Sequence, residues 1–342
     1  MSETLDSPSD SARGLSRRSL LTAAALSLPA AVAFASATGP ASPASAAGGS
    51  GSYAEFLTGS NGSIIGSISF DKVPSNAVPV GGYGLYLEGT NLWYGNSVLA
   101  TGVSKARGNR NNVREFFNIV QNGVALSVHG SNGSVQGVRT WPSVPSTAEP
   151  AGAYGTFLDQ GNLWYFGTIV YTGVAKATGL SAGQSQWTDC VALLNDSART
   201  FNGLAGNIGQ RWTQSTRVPL SSTSTRVPGW WLNGGDLWWS NVIRASNVTS
   251  VSGTIGENLW HKVSYVANGL ATTVTGVNGT IYSTATFPAV PASARAVGPW
   301  GTFLDGTNLW YNNAIVETDV LLAVGDSTQN GTDHISLIKR DA

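Results

Sequence analysis

The chain has 342 residues, 19 Lys and Arg against 19 Asp and Glu, 11% charged residues, 42 Gly, 12 Trp and a single Cys. So neutral and charge-poor a chain carries no electrostatic footprint for nucleic acid or an acidic membrane. One cysteine excludes an intramolecular disulfide, so stability has to come from packing.

At the start of the chain, Ser16-Arg17-Arg18-Ser19-Leu20-Leu21 opens an apolar run from Leu20 to Ala37, and Ala44-Ser45-Ala46 lies in the small-residue tract beyond it. The Arg pair, the mild apolar stretch and the Ala-x-Ala site resemble a bacterial twin-arginine export signal. The resemblance implies cleavage after Ala46 and a secreted, already folded product; a Sec-type signal or a retained anchor are the other readings. Pro29 and the many Ala residues make a poor membrane helix, and no Cys follows as a lipid-anchor site. Residues 47–342 are expected to form one domain.

From there the chain repeats. Leu92-Trp93-Tyr94, Leu163-Trp164-Tyr165, Leu237-Trp238-Trp239 and Leu309-Trp310-Tyr311 follow one another at intervals of 71, 74 and 72 residues. Such a period marks units that stack to bury a shared core. Each strip follows a turn: Glu88-Gly89-Thr90-Asn91, Asp159-Gln160-Gly161-Asn162, Asn233-Gly234-Gly235-Asp236 and Asp305-Gly306-Thr307-Asn308. Aromatic and β-branched residues around such clusters predict hairpins. A second hairpin set has Asn61-Gly62, Asn132-Gly133 and Asn278-Gly279 at its turns, with Asn122-Gly123 and Asn268-Gly269 upstream. Asn-Gly supplies the positive φ angles that two-residue hairpin turns need. Pro-bearing linkers follow at Val73-Pro74, Val144-Pro145 and Val290-Pro291. No amphipathic helix is expected after residue 46.

The last strand, His334 to Lys339, matches Phe116 to Gln121, and the first, from Phe56, matches the segment after the Asn122-Gly123 turn. First and last strands are thus neighbours in one split unit, which predicts ring closure between the two ends of the fold and no exposed edge. The expected architecture is all-β: a closed four-fold repeat, a β-propeller of four blades of about 72 residues. Two hairpins per unit leave an eight-fold ring as one alternative, beside sandwiches and other β-rings.

The Trp-containing strips read first as inter-blade core. Their functional reading is a set of sugar-stacking platforms, with turn groups bonding hydroxyls. The candidate ligand-binding residues are Trp93 with Asn91, Trp164 with Asp159 and Asn162, Trp230, Trp231 and Trp238 with Asp236, and Trp310 with Asp305 and Asn308. The same turn acids also suit local backbone caps. The third copy departs most, with four indoles in ten residues and a degraded preceding hairpin at Phe201 to Gly206. A specialised pocket or compensated drift both fit that departure.

Catalytic signals are thin. His129, His261 and His334 have no metal-ligand spacing, and no nucleophile elbow or phosphate loop occurs. No metal or cofactor is expected. Cys190 reads as a small buried residue. Asp189 and Glu257, near Trp187 and Trp260, are the least ordinary acids, but a glycosidase needs two facing one bond. The Asp-Gly-x-x-Leu-Trp-Tyr phrase resembles the blade motifs of tectonin-type propeller lectins over about ten residues per unit. That resemblance implies sugar binding at blade edges or between blades. The first expectation is therefore a secreted, non-catalytic carbohydrate-binding protein for a glycan or cell-wall polysaccharide. A carbohydrate-active enzyme with acids converging at the central channel and an exported protein-binding scaffold are the alternatives.

Overall fold

The computed structural model describes residues 53–60, 62–111, 114–182, 188–255, 260–327 and 332–340. The signal-like segment, Asn61, Trp187 and Glu257 lie outside them. Every regular element among the described residues is a β-strand. They form eight four-stranded sheets, each an antiparallel meander. The chain is an all-β propeller of eight blades, which corrects the expectation of four blades of about 72 residues.

The physical reason lies in the Pro linkers. Each 72-residue unit holds two blades, and the linker between them is a boundary rather than a loop within one sheet. After Phe70, Trp141 and Phe287 the chain makes a tight turn, with Val73, Val144 and Val290 each donating a backbone bond to that aromatic residue. Pro74, Pro145 and Pro291 have no N–H to extend the ladder, so a new sheet starts beyond them.

The blades alternate in kind. Blade 1 (residues 320–339 with 53–70), blade 3 (103–141), blade 5 (176–215) and blade 7 (248–287) have strands of seven to nine residues. Blade 2 (78–100), blade 4 (149–171), blade 6 (223–245) and blade 8 (295–317) have an innermost strand of two residues and three of four. Blade 1 is made from both ends of the described chain: Tyr53–Ser60 pairs with Thr332–Lys339 throughout, Tyr53 opposite Lys339 and Ser60 opposite Thr332. Ring closure is thus a strand ladder.

At the centre the first strands of the four long blades, Val103–Asn111, Lys176–Ala182, Val248–Ile255 and Val320–Ser327, lie against one another. Asn109 Nδ2 donates to Ser181 O at 2.9 Å, and Ser181 N returns a bond to Asn109 Oδ1. The axis is therefore built with four-fold character inside an eight-bladed ring.

Each short blade is latched to the next long one by the ring that ends its Leu-Trp-Tyr strand. Tyr165 lies over Gly203, where an added Cβ would meet its hydroxyl at 2.3 Å, and it donates to Asp189 Oδ2 at 2.6 Å. Tyr94 lies likewise over Gly130 and donates to Glu115, and Tyr311 over Gly59 and donates to Asp333. In the third repeat Trp239 lies over Gly276 and His261 stands at the acid's position.

Candidate functional site

The proposed site residues are spread over four short blades, and the structure gives most of them structural partners. Trp93, Trp164, Trp238 and Trp310 are half-buried, with indole N–H groups enclosed and unpartnered. Each stands opposite a fully buried aromatic: Tyr86, Phe157, Trp231 and Phe303. The turn groups are occupied as well. Asn91 donates to Glu88, and Asp159 accepts from Thr147, Asp305 from Ser293 and Asp236 from Ser246, the last three at 2.6 Å. Asn162 and Asn308 are half-buried at their turns. Trp230 and Trp231 are 0% exposed.

A cavity of about 360 Å³ does open in the third repeat, where blades 5, 6 and 7 meet. Its walls include Cys190, Thr200, Gln210, Pro228, His261 and Asn278, with Thr213, Trp239, Ser240 and Gly279 completing them. Strand register explains why it forms here. The last residue of each long blade pairs with a recurring Ala, and it is Phe70, Trp141 and Phe287 in three copies but Ser215 in the third. The residue before the glycine that opens each short blade is Tyr83, Tyr154 or Trp300, and here Pro228. The second-strand position of Phe116, Lys262 and His334 is here Cys190. In the second repeat Trp141 and Tyr154 pack together with Phe166 at this place. Large side chains give way to Cys190 and Pro228, both on the cavity wall, and close packing cannot fill the volume they leave.

The same comparison explains the polar lining. At the position of Thr200, Ser127 accepts from Gly155 N and Trp141 Nε1, and Thr273 accepts from Gly301 N. Thr200 is 1% exposed, and its Oγ1 has no hydrogen-bond partner. Its cross-strand neighbour is Ala192, where the other two have Asn118 and Ser264. His261 Nδ1 accepts from Trp230 Nε1 at 3.2 Å. An indole N–H can only donate, so Nδ1 is unprotonated and the ring carries its proton on Nε2. Burial holds the His261 pKa down at about 3. Trp239 offers the cavity an edge rather than a face, since Trp230 stacks on it at 4.7 Å and the Arg244 guanidinium lies 5.4 Å from its ring centre.

The acids behave differently. Burial pushes Asp189 up to about 7, against the opposing pull of the Ser181 and Tyr165 hydroxyls. Burial likewise raises Glu115 to about 7 despite Arg110, and Asp333 to about 7 despite Tyr311 and Lys262. All three are enclosed in latches between blades. At the axis one carboxylate, Asp326, takes backbone bonds from Gly82 and Arg110, with Arg107 and Arg226 acting on its charge. At the seam of blades 8 and 1, burial raises the Glu55 pKa first and the Glu317 charge second.

Sequence reasoning located the departing repeat but not the residues that line its cavity. Aligning the four copies position by position exposes the signal, since Pro228 replaces Tyr or Trp and His261 replaces an acid.

No protein-family model matches the chain, and no curated protein matches it. Among solved structures, the chain is similar to one described as "Crystal structure of BBS1N in complex with ARL6DN, soaked with lead". The two are 11% identical over 75% of this chain and 85% of that one, with a TM-score of 0.28. That likeness is too distant to bear on site or ligand.

Proposed function

We propose that this is a secreted, non-catalytic carbohydrate-binding propeller whose binding site is the third-repeat cavity. The observation that carries the reading is the lining: hydroxyl, amide and neutral imidazole groups interleaved with Pro228, Trp239 and Cys190, with no carboxylate among them. Its volume of about 360 Å³ falls in the range of about 300–1,000 Å³ usual for small-molecule sites. The repeated turns support the reading less well than their spacing suggests, because several of their side chains already have hydrogen-bond partners. The test is titration of the purified protein with soluble glycans while following Trp fluorescence and recovering the sugar. A saturable change with intact sugar is the expected result; no response from the folded protein to any glycan rejects the reading.

One observation favours a carbohydrate-active enzyme as the second reading. The Glu55 and Glu317 charges interact across the seam of blades 8 and 1, with Lys339 Nζ bonded to Glu317. A carboxyl whose pKa is raised by burial and then by a neighbouring carboxyl is the pattern of general-acid hydrolysis. Release of reducing ends that stops in Glu317→Gln would decide for it.

A further inference from the structure

The cavity's inner end defines the kind of ligand it accepts. We infer that it takes one uncharged, pyranose-sized polyol end-on, with Thr200 and the Nε2–H of His261 as the specificity-determining groups; this rests on the carbohydrate-binding reading above.

Thr200 is the first support. A buried hydroxyl without a partner is unfavourable, and the fold has a ready alternative in the bonded arrangements of Ser127 and Thr273. In the third repeat alone that hydroxyl lies free on a cavity wall, in reach of a ligand hydroxyl. His261 is the second. With Nδ1 occupied by Trp230, it presents a proton donor on a ring without charge. Cys190 lies beside them as a neutral thiol, because burial and then the Asp189 charge push its pKa up to about 12.

The charged groups nearest this end all face elsewhere. Asp189 is turned to Tyr165 and Ser181, and Arg244 bonds Gly279 O while covering Trp239. An ionised group driven to the base would lose its water and meet no counter-ion. The rim differs from the base: Gln210, Thr213 and Asn278 are exposed, and Ser240 and Gly279 are half-buried. They suit the outward hydroxyls of the same ring or the glycosidic link to a next one. The enclosed base and open rim favour the end of a chain over its middle.

The test uses the full chain and three readouts. Methyl glycosides of glucose, galactose and mannose, N-acetylglucosamine and, as the charged counterpart, glucuronate are titrated by Trp fluorescence. Labelling of Cys190, the one thiol in the chain, by excess small methanethiosulfonate at alkaline pH, where enough thiolate forms to react, reports directly on the cavity. Pro228→Tyr restores the ring found at that position in two other repeats, and Thr200→Val removes the hydroxyl while keeping its shape. A neutral sugar is expected to bind at least tenfold more tightly than glucuronate and to slow Cys190 labelling about tenfold at saturation. Pro228→Tyr should abolish binding with an unchanged melting transition. Thr200→Val should weaken binding about tenfold without lowering the melting temperature, an outcome a purely structural role would not give. If Pro228→Tyr does not fold, Cys190 protection in the wild-type chain decides. Sugar binding that leaves Cys190 labelling unchanged and persists in Pro228→Tyr overturns the inference while the carbohydrate reading stands. Glucuronate binding as tightly as the neutral sugars also overturns it. No sugar bound by the wild-type chain removes the carbohydrate reading itself.

Discussion

At the residue scale, the buried acids connect packing to pH. Asp189 is 2% exposed, and its folded pKa of about 7 stands above the ordinary value of 3.8. The folded state therefore keeps a proton that the unfolded chain has already released. Its contribution is fully present below about 3.8 and is lost as pH rises through about 7. Asp189→Asn cannot ionise, so it escapes that loss. Relative to wild type, its stability should improve by up to about 1.4 kcal/mol per pH unit between the two values, read as urea midpoints at pH 5 and pH 8. An offset that stays constant across that interval would show that Asp189 titrates normally. His261 works in the opposite sense: its pKa is depressed to about 3, so its contribution holds above 6.5 and is lost as pH falls. The wild-type pH profile mixes both signs, and single substitutions are needed to separate them.

At the element scale, the latch between a short and a long blade is the unit that repeats, and in the third repeat both of its halves change together. Tyr–acid pairs bind Glu115, Asp189 and Asp333, while Trp239 stacks on Trp230 and faces His261. His261→Asp alone places a carboxylate where no tyrosine hydroxyl can reach it, and Trp239→Tyr alone leaves the phenol without its acid. Each should destabilise the fold, and the double substitution should recover about 1–2 kcal/mol of the summed loss, measured as a double-mutant cycle. Additive losses would mean that the two positions do not form a latch.

This explains how much was legible in the sequence. The period of Leu-Trp-Tyr strips marked the repeat, and Asn-Gly turns marked the hairpins. The blade count was not legible, because four-residue strands beside eight-residue strands give one sequence period for two sheets. The cavity was half legible. Four indoles flagged the right repeat, but the volume comes from large side chains missing at Pro228 and Cys190, and a missing side chain leaves no motif. Trp230 and Trp231 drew notice as aromatic surface, yet both are 0% exposed, since a strand between two packed blades buries both of its faces.

At the scale of the whole molecule, closure is made by strand pairing in blade 1, where Tyr53 lies opposite Lys339. The other seven sheets are each continuous in sequence. Only blade 1 therefore ties the two ends of the fold together by a hydrogen-bond ladder, and it removes the open edge a linear array would present. Two circular permutants separate that role from blade packing. Both join the chain beyond Lys339 to Tyr53 by a short Gly-Ser linker, which is feasible because the two residues are direct partners. In the first, new ends are cut between Gly306 and Thr307, an exposed turn within blade 8 where an added Cβ at Gly306 meets nothing. Blade 8 is then assembled from both ends, so a ladder still closes the ring. In the second, new ends are cut between Pro145 and Ser146, in the linker between blades 3 and 4. Every blade is then continuous, and blades 3 and 4 are held together by side-chain packing and side-chain hydrogen bonds with no strand ladder across the seam. The first permutant should melt close to the wild-type chain, and the second distinctly lower, with earlier proteolysis at the blade 3–4 seam. Equal melting of the two would show that latches such as Tyr94–Glu115 and the packed axis hold the ring without help from strand exchange.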